Sequence, residues 1–203
     1  NREHPTEKHL YMVPLAGGDI TRITEAPGTH NIVMDTRCQY YVDVFSALDT
    51  APTVTLHRTE DQRPLHTIYT PADPRIEAFD LQPPEIISLE NPEGTMLYGA
   101  LYQPPVERFG PGPYPTVIHV YGGPGPQVAT NQWNVTARLD AQYLRNQGFL
   151  VLRLDNRGSS RRGIAFESAL QNKMGTVEVS DQVAGVRWLI DQGLTDPQRV
   201  GIF

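Results

Sequence analysis

Two short stretches hold the residues with the most chemical potential. In "TVIHVYGGPGPQ" (Thr116–Gln127) an apolar run ends in Tyr121, and Gly122, Gly123, Pro124, Gly125 and Pro126 follow at once. The loop is not a P-loop, because no Gly-Lys-Ser/Thr follows it. It is not a dinucleotide fingerprint either: the third glycine is missing, and its prolines lack the N–H groups that would cradle a phosphate. Two readings remain, a tight turn after a core tyrosine or a loop whose open backbone meets a ligand. The second stretch is "LDNRGSSRRG" (Leu154–Gly163). A nucleophile elbow needs Gly-x-Ser-x-Gly. Gly158 to Gly163 is one residue too long, so Ser159 and Ser160 read as loop residues, and Asp155 and Arg157 as a pair bracing the loop. The histidines are His4, His9, His30, His57, His66 and His119. None lies four residues from another on a helix, and Cys38 has no cysteine partner, so neither a metal site nor a cofactor is expected. His119, inside an apolar run, reads as a satisfied core residue. Glu178 and Asp181, at the start of a helical stretch, read as acids favoured by the helix dipole and its free N–H groups.

The elements around these residues use two different patterns. Residues 1–80 alternate short apolar runs with turns: "KHLYMVPL", "ITRIT", "HNIVMD", "QYYVDVFS", "TVTLHR" and "LHTIY". Such spacing predicts an all-β meander, from a sandwich, a barrel or propeller blades. "TPADPRIEAFDLQPPE" (Thr70–Glu85), with prolines at 71, 74, 83 and 84, reads as an extended linker. Residues 81–203 differ. A hairpin over Glu85–Pro104 turns at Asn91–Gly94, and three apolar runs follow as strands at 116–121, 149–154 and 199–203. Their continuous apolarity predicts strands covered on both faces, as in a parallel sheet. Val135, Leu139 and Tyr143 mark a helix between the first two, ended by Gly148. Val179, Val183, Val186 and Ile190 mark a helix between the last two, ended by Gly193. Strand–helix–strand–helix–strand gives an α/β layer.

Composition sets outer limits. The 203 residues are 39% hydrophobic, enough for a core, and the net charge of -6 argues against a nucleic-acid footprint. A single cysteine excludes an intrachain disulfide, mildly favouring a reducing compartment; cytoplasm and periplasm both stay open. No apolar run reaches the ~18 residues of a membrane span. Both ends read as cuts: the first residues resemble the middle of a chain, and "RVGIF" stops inside an apolar run.

Taken in order, "VYGGPGPQ", "LDNRGSSRRGIAFESALQNKMGTVEVSDQV" and "TDPQRVGIF" resemble the dipeptidyl peptidase IV branch of the prolyl oligopeptidase family over roughly Ile86–Phe203. The most specific block is Asp-x-Arg-Gly-Ser followed by Met-Gly-x-x-Glu-x-x-Asp-Gln. "YYVDVFSALDTAPTVTLH" is more weakly similar to that family's final propeller blade. The resemblance implies a partial α/β-hydrolase fold over 81–203, preceded over 1–80 by strands from the end of a β-propeller. It implies a serine peptidase that releases N-terminal dipeptides, often after Pro or Ala, through an acyl-enzyme, without a cofactor. It matches Tyr121 to the tyrosine whose hydroxyl forms half of the oxyanion hole, with Gly122 and Gly123 clearing space for substrate. "RVGIF" matches the strand leading into the elbow Gly-Trp-Ser-Tyr-Gly-Gly, so serine, aspartate and histidine are all expected beyond Phe203, and the paired glutamates that hold a free amino terminus before Asn1. The 203 residues alone are expected to be inactive, and the intact protein to bind peptides and to dimerise. An acylaminoacyl peptidase or esterase of the same fold, and a non-catalytic homologue lacking the serine, are the alternatives.

Overall fold

A computed structural model of the chain describes residues 4–203. It divides into two compact units, residues 1–81 with 131–136, and residues 82–130 with 137–203.

In the first unit β1 (Tyr11–Met12) and β2 (Thr21–Arg22) form a small antiparallel ribbon. Four strands then run antiparallel in chain order: β3 (Thr29–Met34), β4 (Tyr40–Ala47), β5 (Thr50–Arg58) and β6 (Pro64–Tyr69). Short local bonds set their turns. The Asp35 carboxylate accepts from the N–H groups of Arg37, Gln39 and Tyr40 at 3.0, 2.7 and 2.8 Å, closing the β3–β4 turn. Cross-strand pairs hold the register: Tyr41 lies opposite His57, their rings stacked 4.9 Å apart. Buried His30 faces Asp43 Oδ2 at 2.6 Å and the Ala26 carbonyl at 2.9 Å. The proline-rich stretch after β6 is not wholly extended, since α1 (Arg75–Ala78) makes one turn there.

The second unit is built on a five-stranded sheet. β7 (Glu85–Glu90) and β8 (Met96–Tyr102) form the hairpin, followed by the single-turn helix α2 (Val106–Phe109) and β9 (Tyr114–Ile118). The stretch expected to be one helix is two. α3 (Trp133–Thr136) belongs to the first unit, where Asn131 Oδ1 accepts the Leu48 N–H at 3.0 Å and Thr136 donates to the Leu48 carbonyl at 2.6 Å. α4 (Leu139–Asn146) belongs to the second unit. Only Val135 of the expected apolar triplet is buried; Leu139 and Tyr143 are exposed. Gly148, at φ 89°, ends α4 in the left-handed conformation. β10 (Leu150–Asp155), α5 (Ile164–Glu167), a 3₁₀ turn at Ser168–Leu170, α6 (Val177–Asp191) and β11 (Thr195–Ile202) complete the unit.

The sheet order is β11-β9-β10-β8-β7. β9 runs parallel to both neighbours, whereas β10 pairs antiparallel with β8, so the sheet is mixed rather than parallel throughout. Leu150, Val151 and Leu152 of β10 are all fully buried although successive side chains point to opposite faces. Both faces are therefore covered, which is why the apolarity is unbroken. Each such side chain contributes about 1.5–3 kcal/mol of burial. The valines mark the buried face of α6 only in part: Val186 packs against the core. Asp181, Gln182, Gly185 and Leu189 point inward, while Val179 and Val183 are exposed. Close approach decides this, because a Cβ at Gly185 would lie 2.9 Å from Leu154 and 3.1 Å from Leu152. Among the described residues no helix is long and apolar enough to cross a membrane.

Candidate active site at the carboxyl end of the sheet

The topology selects one position. From β9 the chain crosses to β10 on one side, then returns to β11 on the other, so its direction reverses at β9. Open α/β sheets bind ligands in the crevice outside such a switch point, at the carboxyl ends of the strands. β9 ends at Ile118, three residues before the expected end, but single bonds prolong the ladder: His119 N–H donates to the Leu152 carbonyl at 2.9 Å and Val120 N–H to the Phe203 carbonyl at 3.0 Å. Tyr121 is the first residue released from both neighbours. Its side chain is 56% exposed, and its hydroxyl makes no hydrogen bond among the described residues.

The two loop glycines shape this tyrosine in different ways. Gly122 has φ 73°, a left-handed conformation that costs a side-chain-bearing residue about 1–2 kcal/mol. Gly123 makes room for the ring: a Cβ there would lie 3.3 Å from Tyr121 Cε1 and 3.8 Å from its hydroxyl oxygen. His119 is not a core residue. It sits just past β9, half-buried, with Nδ1 3.3 Å from Asp140. Burial, with Arg153 adding to it, pulls its imidazole below the usual histidine range, so the ring is neutral at pH 7.

The second loop, after β10, clasps the first. Gly125 N–H donates to the Gly158 carbonyl at 3.1 Å, and Ser160 N–H to the Gly125 carbonyl at 2.9 Å. Gly158 is required twice, by φ 103° and because a Cβ would meet Leu170 Cδ1 at 2.2 Å. Asn156 Nδ2 reaches the Gly122 carbonyl at 3.2 Å. Buried Ser159 donates to the Asn156 carbonyl at 2.8 Å, and no described hydrogen bond joins Ser159 or Ser160 to a histidine.

Asp155 and Arg157 do not pair with each other. Asp155, buried, accepts the N–H groups of Val128 and Ala129 at 2.6 and 3.1 Å, fixing the chain beyond the glycine loop. Arg157 instead grips Asp181 through Nε and Nη2 at 2.8–3.1 Å, and its own N–H donates to the same carboxylate at 2.8 Å. Asp181 is thus no helix cap. Glu178 accepts the N–H of Gly175, which lies before the helix, so neither acid caps a first-turn N–H of α6. Asn91, in the β7–β8 turn, donates to Asp181 at 2.8 Å, and Gln182 donates to Asn156 Oδ1 and the Leu154 carbonyl, both at 3.1 Å. Asn91, Asn156 and Gln182 were not distinguishable in sequence, because each bonds a residue at least 26 positions away.

Desolvation pushes the Asp155 carboxyl up to about 6, against the two N–H bonds that favour its charge. The folded protein therefore holds this proton up to a higher pH than the unfolded chain, and the contribution to stability falls as pH rises from about 4 to 6. At 1.36 kcal/mol per pKa unit the change is roughly 3 kcal/mol. Unfolding of the full-length protein at several pH values, compared with Asp155→Asn, should show the wild type losing stability relative to the variant across that window. Parallel pH curves would remove Asp155 as their cause.

Comparison with known proteins completes the picture. Residues 134–203 match the model of the prolyl oligopeptidase family, and residues 1–52 that of the dipeptidyl peptidase IV (DPP IV) N-terminal region. Tyr121 lies between the two matched segments. Whole-chain similarity bridges the gap. The chain is 35% identical to dipeptidyl peptidase 8 of Mus musculus and 34% identical to that of Homo sapiens, in each case over 99% of this chain and 23% of the relative. It is 28% identical to prolyl endopeptidase FAP of Homo sapiens, over 99% of this chain and 27% of that protein. The chain thus spans about a quarter of the length of these relatives. With both of its segments matched to that lineage, the chain belongs to the dipeptidyl peptidase IV branch of the prolyl oligopeptidase family.

Proposed function

We propose that the intact protein is a serine-type dipeptidyl peptidase and that Tyr121 is one half of its oxyanion hole. Residues 1–80 are then the last strands of a β-propeller, and 81–203 the first half of an α/β-hydrolase domain. The observation that carries this reading is the Tyr121 hydroxyl, without a hydrogen bond among the described residues, three residues past the end of β9 at the topological switch point and next to the end of β11. In α/β-hydrolases the nucleophilic serine sits on a strand-to-helix turn at the top of the sheet, and the acid and histidine come later in the chain. A serine following β11 would face a carbonyl within reach of Tyr121.

The chemistry then balances simply. The serine oxygen attacks the scissile carbonyl while the histidine takes its proton, and the carbonyl oxygen becomes an oxyanion that accepts a hydrogen bond from Tyr121. The C–N bond breaks, the histidine returns the proton to the leaving amine, and water hydrolyses the ester. A phenol hydroxyl fits because it donates without carrying charge, and a donor already in place costs no reorganisation during the reaction.

Activity of the full-length protein tests this proposal. Gly-Pro and Ala-Pro chromogenic amides with a free amino terminus should be cleaved, their N-acetylated forms should not, and the 203-residue segment alone should turn over neither. Preference for the acetylated forms would point to an acylaminoacyl peptidase instead. Complete inactivity on both, with no labelling by a serine-reactive phosphonate, would leave the non-catalytic homologue.

A further inference from the structure

We infer that Asn156 is a positioning residue for the Tyr121 hydroxyl, an inference that rests on the oxyanion role proposed above. Among the described side chains, Asn156 alone bonds the backbone between Tyr121 and Gly125: its Nδ2 donates to the Gly122 carbonyl at 3.2 Å and to the Arg157 carbonyl at 2.7 Å. The bond lands one residue after Tyr121, on a glycine whose left-handed conformation leaves that peptide with several other orientations. The stiffness of Pro124 and Pro126 begins beyond this point.

Asn156 is itself held. It is buried, and its Oδ1 accepts from Gln182 Nε2 at 3.1 Å, on the fifteen-residue helix α6, whose next residue inward, Gly185, packs directly on β10. The amide is thereby oriented, with oxygen toward the helix and both N–H groups toward carbonyls. An aspartate would turn an acceptor toward the Gly122 carbonyl, and an alanine would release it. The path from the rigid helix to the reacting oxygen is short: α6, Gln182, Asn156, Gly122, Tyr121.

A double-mutant cycle in the full-length protein separates positioning from mere support of the fold. Asn156→Ala is expected to lower kcat for a Gly-Pro amide roughly tenfold, less than the ~10²-fold cost of a 1 Å misplacement. KM should stay within about twofold, and a peptidyl boronate that mimics the tetrahedral state should bind more weakly in proportion to kcat. In a Tyr121→Phe background the same substitution should change kcat less than about twofold, because there is no hydroxyl left to aim. If Asn156→Ala is too unstable to purify, Asn156→Asp, which keeps the acceptor for Gln182, takes its place in the cycle. An equal loss in both backgrounds makes Asn156 a structural residue, and no loss in either overturns the inference. Full activity of Tyr121→Phe by itself removes the oxyanion reading beneath it, an outcome distinct from those two.

Discussion

Tyr121→Phe in the intact protein is expected to lower kcat roughly 10²–10³-fold, the usual loss for one oxyanion donor. The substitution removes one oxygen and leaves the ring, so the packing against Gly123 is preserved. The hydroxyl has no partner among the described residues, and the side chain is more than half exposed, so the folded state loses nothing when the oxygen goes. The melting temperature should accordingly stay put while catalysis falls. KM should change little, because the neutral carbonyl of bound substrate gains much less from the donor than the oxyanion does. Steady-state kinetics on a Gly-Pro amide supply both numbers. A variant with kcat near wild type sinks the assignment. A variant with kcat unchanged and KM raised would turn Tyr121 into a ground-state binding residue.

How far the sequence disclosed this site depends on whether each feature is local. The runs that form β3 to β6 show directly, because each is a short apolar stretch bounded by turn residues, although only β4, over Tyr40–Val44, buries every second residue. The unbroken apolarity of "FLVLRL" similarly follows from coverage on both faces of β10. The end of β9 is not legible because the apolar run continues through Val120 and Tyr121, past the regular pairing at Ile118 and the single bonds at His119 and Val120, and only the lengths of the partner strands fix where pairing ends. The valines of α6 mark a helix, yet those at 179 and 183 are exposed and only Val186 packs on the core. Its inward face carries an aspartate, a glutamine and a glycine, which no hydrophobicity count selects. Each is buried for a non-local reason: Asp181 for Arg157, Gln182 for Asn156, and Gly185 for two leucines of β10. The expected Asp155–Arg157 pair failed on the same ground. Two residues apart on one loop, they are drawn to different partners, the backbone at 128–129 and the helix at 181.

The largest effect on stability is expected at that last contact, where Arg157→Met should cost roughly 3–5 kcal/mol by leaving the buried Asp181 charge without its counter-ion. Asp181 is 0% exposed and receives bonds from Arg157 Nε, Nη2 and backbone N–H, and from Asn91. The bond to Asp181 also raises the Arg157 guanidinium above its already high range, so the arginine is charged throughout the working pH. Arg157 also touches Glu93 at 3.2 Å, but the Glu93 side chain is half exposed, and such a pair contributes at most about 1 kcal/mol. Denaturant unfolding of the full-length protein at pH 7 should rank the variants accordingly: Glu93→Gln nearly neutral, Arg157→Met severe. Arg157→Lys should fall between them, because an ammonium keeps the charge but not the fork of parallel N–H bonds. The paired change Arg157→Met with Asp181→Leu should recover part of the loss, since it removes the stranded charge and leaves only the Asn91 amide and one backbone N–H without their acceptor. A double variant no more stable than Arg157→Met would mean that the arginine stem packing on the loop, not the ion pair, holds these elements together. If the ion pair dominates as expected, the β7–β8 turn, α6 and the loop that clasps Gly122 are tied at one carboxylate, and the rigidity that the proposed role asks of Tyr121 is set by residues at least 30 positions from it in sequence.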